Sequence, residues 1–341
     1  MGGLNDRFGP RIVLTLCGIF VGLGFFLMSR IESAWQLYLF YVVLIGIGMG
    51  GIYAPPMSTV ARWFVKRRSI MTGIVVAGGG TGGFISPPII NYLIERYGWR
   101  DTYSIIGAVI LVVIILLAQS MKRDPAKMGL VPYGKHKLKN QELELSLTGL
   151  SFKEAAGRGQ FWMAIAILFC YGFSVMTITV HSVPYATDLG ISATTAANIL
   201  ATLGGAQLVG GIVLGGVADR IGNKRAYFIS LILMSLALFW ILVGGEVWIL
   251  FLAAVIFGLG GGGAAALVSP LTAELFGIRS HGLIVGILVF CATIGGSCGT
   301  WAAGYIFDTL ESYTWAFSIT TAFSIIGLIL TLILKPITTR S

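Results

Sequence analysis

Charge is what this chain has least of. Of its 341 residues only 11% are Asp, Glu, Lys or Arg, 56% are hydrophobic, and the mean hydropathy is +0.88. A water-soluble domain carries about 25% charged residues, so a soluble globular fold is excluded and an all-α polytopic membrane protein is expected. Cysteine is scarce as well. Cys17, Cys170, Cys291 and Cys298 all lie in apolar runs with no CxxC or Cys/His ligand spacing, which predicts buried free thiols, no disulfide framework, no metal and no cofactor. Met1 leads into a polar hairpin, and the first apolar run, Ile12 to Met28, is followed by many more, so a chain inserted in the bilayer is expected rather than a secreted one.

Apolar stretches long enough to cross about 30 Å of hydrocarbon occur ten times: 12 to 28, 35 to 61, 69 to 94, 101 to 121, 161 to 187, 193 to 218, 226 to 244, 248 to 276, 281 to 307 and 313 to 334. If Asp6-Arg7 is cytoplasmic, alternate loops place every one of the 23 Lys and Arg residues on that side except Arg30, Arg96 and Arg100. That asymmetry is the positive-inside rule, and it puts both termini in the cytoplasm of a cell-membrane protein. The net charge of +9 therefore reflects topology and not a nucleic-acid face. Residues 122 to 160, with Lys135, Lys137 and Lys139 and no long apolar run, read as a cytoplasmic linker between an N-terminal half, 1 to 121, and a C-terminal half, 161 to 341. Ser151 and Glu154 have capping-box spacing, which predicts a short helix before Phe161.

The halves repeat. Gly2-Gly3-Leu4-Asn5-Asp6-Arg7-Phe8-Gly9-Pro10-Arg11 recurs 213 positions later as Gly215-Gly216-Val217-Ala218-Asp219-Arg220-Ile221-Gly222-Asn223-Lys224. Gly46 to Gly51 recurs as Gly258 to Gly263 at 212, and Asp101-Thr102-Tyr103-Ser104 as Trp315-Ala316-Phe317-Ser318 at 214. So small a drift over four helices indicates duplication, and parallel repeats are a transporter feature, with the substrate site at the repeat interface. The second half holds six spans and the first holds four. The repeat therefore predicts two further helices ahead of Met1, and an inactive or poorly folded protein without them.

These hinges resemble the signature loops of the major facilitator superfamily, which lie between helices 2 and 3 and between helices 8 and 9. Within it, Trp63-Phe64-Val65-Lys66-Arg67-Arg68-Ser69-Ile70-Met71-Thr72-Gly73-Ile74-Val75-Val76-Ala77-Gly78 is similar to the helix 5 signature of the monocarboxylate transporters and the oxalate/formate antiporters. Arg123-Asp124-Pro125-Ala126-Lys127-Met128-Gly129-Leu130-Val131-Pro132-Tyr133-Gly134 and His181-Ser182-Val183-Pro184-Tyr185-Ala186-Thr187-Asp188-Leu189-Gly190 are similar to segments of bacterial members. The resemblance implies a twelve-helix fold of two pseudo-symmetric halves, of which this chain holds family helices 3 to 12. It also implies a small organic anion, most readily a monocarboxylate, carried by alternating access as a proton symport or an exchange. The family's helix 8 bears an aspartate and, four residues later, an arginine that lies eight residues before the hinge aspartate. Counting back from Asp219 finds Gly211 and Gln207 instead, and His281 to Phe307 lacks the helix 11 lysine of the oxalate exchangers. An anion would then have to be read by dipoles alone, against a desolvation cost of several kcal/mol.

The remaining candidates lie on the cavity helices, where Pro55-Pro56, Pro184 and Pro270 are expected to interrupt the backbone ladder. Tyr171, Ser174, His181 and Tyr185 follow at intervals of three or four and form one polar stripe, a cavity wall. His181 is either a proton carrier or a neutral histidine bonded near a helix end. Tyr53 either lines the opposite wall or packs. Asn198, Thr202 and Gln207 either meet substrate or join helix to helix. Asp6, Arg7, Gly9, Arg11, Asp219, Arg220, Gly222 and Lys224 form the conformational hinge, the aspartates pairing with these cations or with helix N-termini. The two GxGxxG runs follow no strand and read as packing grooves. Gly295-Gly296-Ser297-Cys298-Gly299 matches GxSxG and admits an intramembrane serine hydrolase using His181, without the strand-turn-helix context that motif needs. A membrane sensor or scaffold that kept the fold without transport is the other alternative. The partners expected are a small solute, protons and the bilayer.

Overall fold

The computed structural model describes residues 2–52, 54–64, 66–122, 124–134 and 149–334. Tyr53, the Asp6 side chain and the lysines of 135–139 lie outside the described residues. The helices are α1 (Gly2–Phe8), α2 (Pro10–Met28), α3 (Ala34–Met49), α4 (Ala54–Trp63), α5 (Arg68–Ser120), α6 (Phe152–Ala156), α7 (Gly159–Asp188), α8 (Ala193–Ile221), α9 (Asn223–Val243), α10 (Val247–Phe276), α11 (His281–Leu310) and α12 (Thr314–Ile333). Among the described residues nine stretches are long and apolar enough to span a membrane.

One departure from the expected spans has a backbone cause. The span over 35 to 61 is divided: α3 ends at Met49, and α4 restarts at Ala54 with Pro55 and Pro56 in its first turn, where a missing N–H costs nothing. The two spans expected over 69 to 121 are both present, as Ser69–Ser86 and Arg96–Ser120 within α5, with a sharp turn between two helices at Gly98 (φ 77°, ψ 165°). Interruption at Pro184 and Pro270 does not occur, since α7 and α10 run through both. In α10 the neighbours Leu267, Val268, Ser269 and Leu271 are all buried, so tertiary packing holds the helix where one ladder bond is lost.

The chain forms two compact units, Met1–Val65 with Ile85–Lys139 and Lys66–Phe84 with Asn140–Ser341. They do not follow the sequence halves, because the opening stretch of α5 packs with the C-terminal helices. Within each unit the repeat holds at atomic detail. In the first, a Cβ added to Gly48 would meet Cys17 O at 2.9 Å and the Val21 side chain; in the second, one added to Gly260 would meet Ser230 O at 2.5 Å and Met234. Cys17 with Ser230 and Val21 with Met234 are repeat equivalents. The second unit closes around Tyr227, Phe257, Phe276 and Phe317, all fully buried.

The linker is tied at both described ends. Tyr133 N donates to Trp63 O (2.8 Å) in the first unit and Leu150 N to Phe276 O (2.9 Å) in the second, and Trp63 and Phe276 are again 213 apart. Ser151 caps α6 as its spacing predicts, accepting from Glu154 N while Glu154 accepts from Ser151 N at 2.7 Å.

Candidate functional site

The hinge glycines come first, because they set the chain's direction. Gly9 (φ 85°, ψ 165°) and Gly222 (φ 92°, ψ 151°) occupy the same region, one open essentially to glycine alone. Each N–H closes the preceding helix at 2.9 Å, on Asn5 O and on Ala218 O. The motif Gly-x-x-Asp-Arg-x-Gly thus encodes one corner, made twice.

At the second corner the aspartate has work that pattern alone left open. The Asp219 carboxylate accepts from Ser69 N (3.2 Å) and Ile70 N (3.3 Å), two of the unpaired donors that begin α5. A carboxylate there is favoured by the N–H groups and by the positive end of the helix dipole. Ser69 Oγ donates to Asn223 Oδ1 (2.8 Å), and Asn223 Nδ2 donates to Glu274 Oε2 (2.7 Å). Asp219, Asn223, Ser69 and Glu274 therefore latch four helix ends, those of α8, α9, α5 and α10. The hinge cations play other parts: Lys224 Nζ reaches Leu332 O (2.9 Å), Arg11 Nε reaches Gln119 Oε1 (2.6 Å), and Arg7 and Arg220 are exposed.

Above the latch, α5 and α8 run backbone against backbone. A Cβ on Gly215 would stand 2.7 Å from Ser69 O, one on Gly80 3.1 Å from Leu208, and one on Gly73 would overlap Gly211 O. The other face of α8 meets α10: Gly258 faces Leu203 O at 2.5 Å, and Gly262 would overlap Gln207 O. Small residues permit this approach, which is how membrane helices associate.

The polar stripe of α7 faces the packed interior of its own unit and does not form one open wall. Tyr171 OH donates to Gly261 O (3.0 Å) on α10. Ser174 is fully buried, its hydroxyl on Cys170 O (3.0 Å). His181, 8% exposed, has Nε2 at 3.0 Å from Thr300 O on α11 and Nδ1 at 3.4 Å from Tyr313 OH. Tyr185 reaches Ile241 O (3.4 Å) and sets its ring edge-on to Phe317. Gln207 is half-buried with Nε2 beside Gly261, whereas Asn198 is exposed, its carbonyl taking the Thr202 hydroxyl at 2.8 Å. The side chains the structure brings together here are Tyr171, Gln207 and the Gly261 backbone. Tyr313, Asn223, Ser69 and Glu274 were not singled out from the sequence. Only Asn223, directly after the hinge glycine, carried a local signal.

GxSxG is a packing surface. Gly295, Gly296 and Gly299 lie against Phe169, Met176 and Thr177 of α7, and Ser297 Oγ, on the exposed side, bonds its own helix at Thr293 O (3.1 Å). Burial of Tyr313, which precedes the last span, holds its phenol above the ordinary range, and Asp188 and Asp308 push the same way.

Long apolar helices, a duplicated glycine corner and a carboxylate latch on a helix end define the class: a polytopic helical membrane protein of two repeated halves. The chain belongs to the Major Facilitator Superfamily, whose family model matches residues 1–205 and 168–341, and it is a membrane transporter, not an enzyme. It is 29% identical over 342 residues to monocarboxylate transporter 12 of Mus musculus, covering 92% of this chain and 69% of that protein. Monocarboxylate transporter 13 of Rattus norvegicus is 28% identical, covering 95% and 73%. A point variant of the E. coli fucose:proton symporter FucP superposes with a TM-score of 0.72 at 17% identity, covering 98% of this chain and 86% of that one, a likeness of fold alone.

Proposed function

We propose that the protein carries a small monocarboxylate or related organic anion across the cell membrane by alternating access, with a proton accompanying the anion and both termini in the cytoplasm. The names of the relatives support the substrate class. Position 211 carries the choice of proton coupling. A Cβ on Gly211 would sit in ordinary contact 3.4 Å from Gly73 O and 3.5 Å from Gly262 O, so backbones flank the position on two sides, and the glycine itself brings no cation. The polar side chains that meet at Gly261, next to Gly262, are Gln207 and Tyr171, and both are neutral. A bare carboxylate would lose several kcal/mol of hydration there without an opposite charge; a proton taken up with it removes that cost. His181 is the ionisable group of α7 suited to carry it. The latch at Asp219 holds one access state.

Proteoliposome uptake of labelled monocarboxylates, with and without an inward-acid gradient, tests this reading. The 341-residue chain and the longest reading frame that contains it are run in parallel. Acid-driven uptake is expected. If no acid on a broad panel moves in either protein, the reading fails, and pH-independent exchange removes the proton.

A further inference from the structure

We infer that Tyr313 is the positioning residue for His181, giving the neutral imidazole a hydrogen bond and accepting one from the charged ring. The inference rests on the proton-coupled reading above. Thr300 O is an acceptor only, so the His181 Nε2 that faces it at 3.0 Å carries hydrogen. Nδ1 is then the nitrogen left with a lone pair, and Tyr313 OH stands 3.4 Å from it. When Nδ1 takes a proton it becomes a donor, and the Tyr313 oxygen must accept. That oxygen's own hydrogen then has to turn elsewhere.

The phenol ring cannot turn with it. It stacks on Phe307 (4.4 Å, 21°) and Phe317 (5.5 Å, 18°), and Tyr185 closes its edge (5.8 Å, 80°). The hydroxyl is the part free to rotate. Asp188 ends α7 and Asp308 lies in the last turn of α11, and both carboxylates act on this phenol. Of the titratable groups, Tyr313 ahead of α12 meets the imidazole itself; Tyr185 of α7 meets that phenol, and Asp188 and Asp308 act on it through their charge. Thr300 and Gly304 of α11 bring no charge, and Gly304 leaves room for the ring, with Cε1 3.8 Å from where a Cβ would be. One N–H bond forms with a proton from water and breaks on its return; Tyr313 keeps its own proton throughout.

The chain has three histidines, so ¹⁵N-histidine NMR of the whole protein in lipid nanodiscs can follow each, with His136→Gln and His281→Gln assigning the other two. Nε2 of His181 should stay protonated at every pH while Nδ1 titrates. Tyr313→Phe should lower the proton affinity of His181 about threefold or more, because the lost charge-assisted bond is roughly twice as strong as the neutral one. Titration at Nε2, or an unmoved curve in Tyr313→Phe, overturns the inference. The measurement needs no transport: a shifted titration without uptake sinks the transport reading alone, and acid-driven uptake with an unmoved titration sinks this one alone.

Discussion

α3 and its repeat counterpart α10 share one packed face and differ on another. Gly48 and Gly260 press on equivalent atoms of the neighbouring helix, yet Gly258 meets the backbone of α8 at Leu203 while its equivalent, Gly46, has open space where a Cβ would go. Pro10–Met28 and Asn223–Val243 are buried alike, 39% and 44%, but Arg96–Ser120 is 17% buried against 39% for Thr314–Ile333. In the second unit the hairpin α7–α8 makes the difference. Phe173 of α7 stacks on Phe323 of α12 (4.2 Å), and α8 fills the glycine groove of α10. No described helix does this for the first unit. The groove geometry therefore belongs to the repeat itself, while its occupation depends on a particular hairpin.

The largest expected effect tests that asymmetry. Gly262→Leu, forced into the Gln207 carbonyl, should cost more than about 4 kcal/mol and abolish a monodisperse peak in detergent, whereas Gly46→Leu should change stability by less than about 0.5 kcal/mol. Equal damage at both sites would show that Gly46 is covered after all. Next come the corners, where the halves are alike: Gly9→Ala and Gly222→Ala should each cost about 1–3 kcal/mol and lower the melting temperature comparably. A tolerated alanine at either position removes the shared-corner argument. Asp219→Asn is milder. Losing the charge at the α5 end should cost up to about 1 kcal/mol, less at high salt, since the group is exposed. Hydrogen exchange should then quicken at the Ser69 and Ile70 amides; unchanged exchange would mean that the cap contributes nothing there.

Much of this was legible. Hydropathy located the spans because lipid demands about 20 apolar residues whatever the tertiary contacts, and the hinge was readable because only glycine takes φ near 90°. The division before Ala54 was marked by Pro55-Pro56 alone, since apolar residues continue through it, whereas the same expectation failed at Pro184 and Pro270, where packing holds the helix. The partners of candidate residues were harder. His181 showed its chemistry in the sequence, but Tyr313 lies 132 positions away, and their meeting depends on how α7 packs on α11 and α12. Likewise Ser174 shares a helical face with His181 without sharing an open cavity, because spacing fixes a face and packing decides what covers it.

The smallest effect separates the two linker ties. Leu150 N on Phe276 O is backed by the α6 capping box, whereas Tyr133 N on Trp63 O is backed by Trp63 Nε1 on Lys122 O (2.8 Å) and by the Arg62–Asp124 ion pair (3.3 Å). The Ser151 backbone N–H, and after it the Ser151 side chain, hold the Glu154 carboxyl below its usual range. A depressed carboxylate contributes stability that is complete above its unfolded pKa and lost as pH falls through the folded one. Acidification through that window should therefore quicken exchange at the Leu150 amide, after correction for intrinsic rates, and Glu154→Gln should quicken it already at neutral pH. The Tyr133 amide should not respond to Glu154→Gln, because nothing in its tie involves Glu154. A matching response there would mean that the ties at the two equivalent carbonyls are one cooperative element; independence would mean that each half holds its own end of the linker.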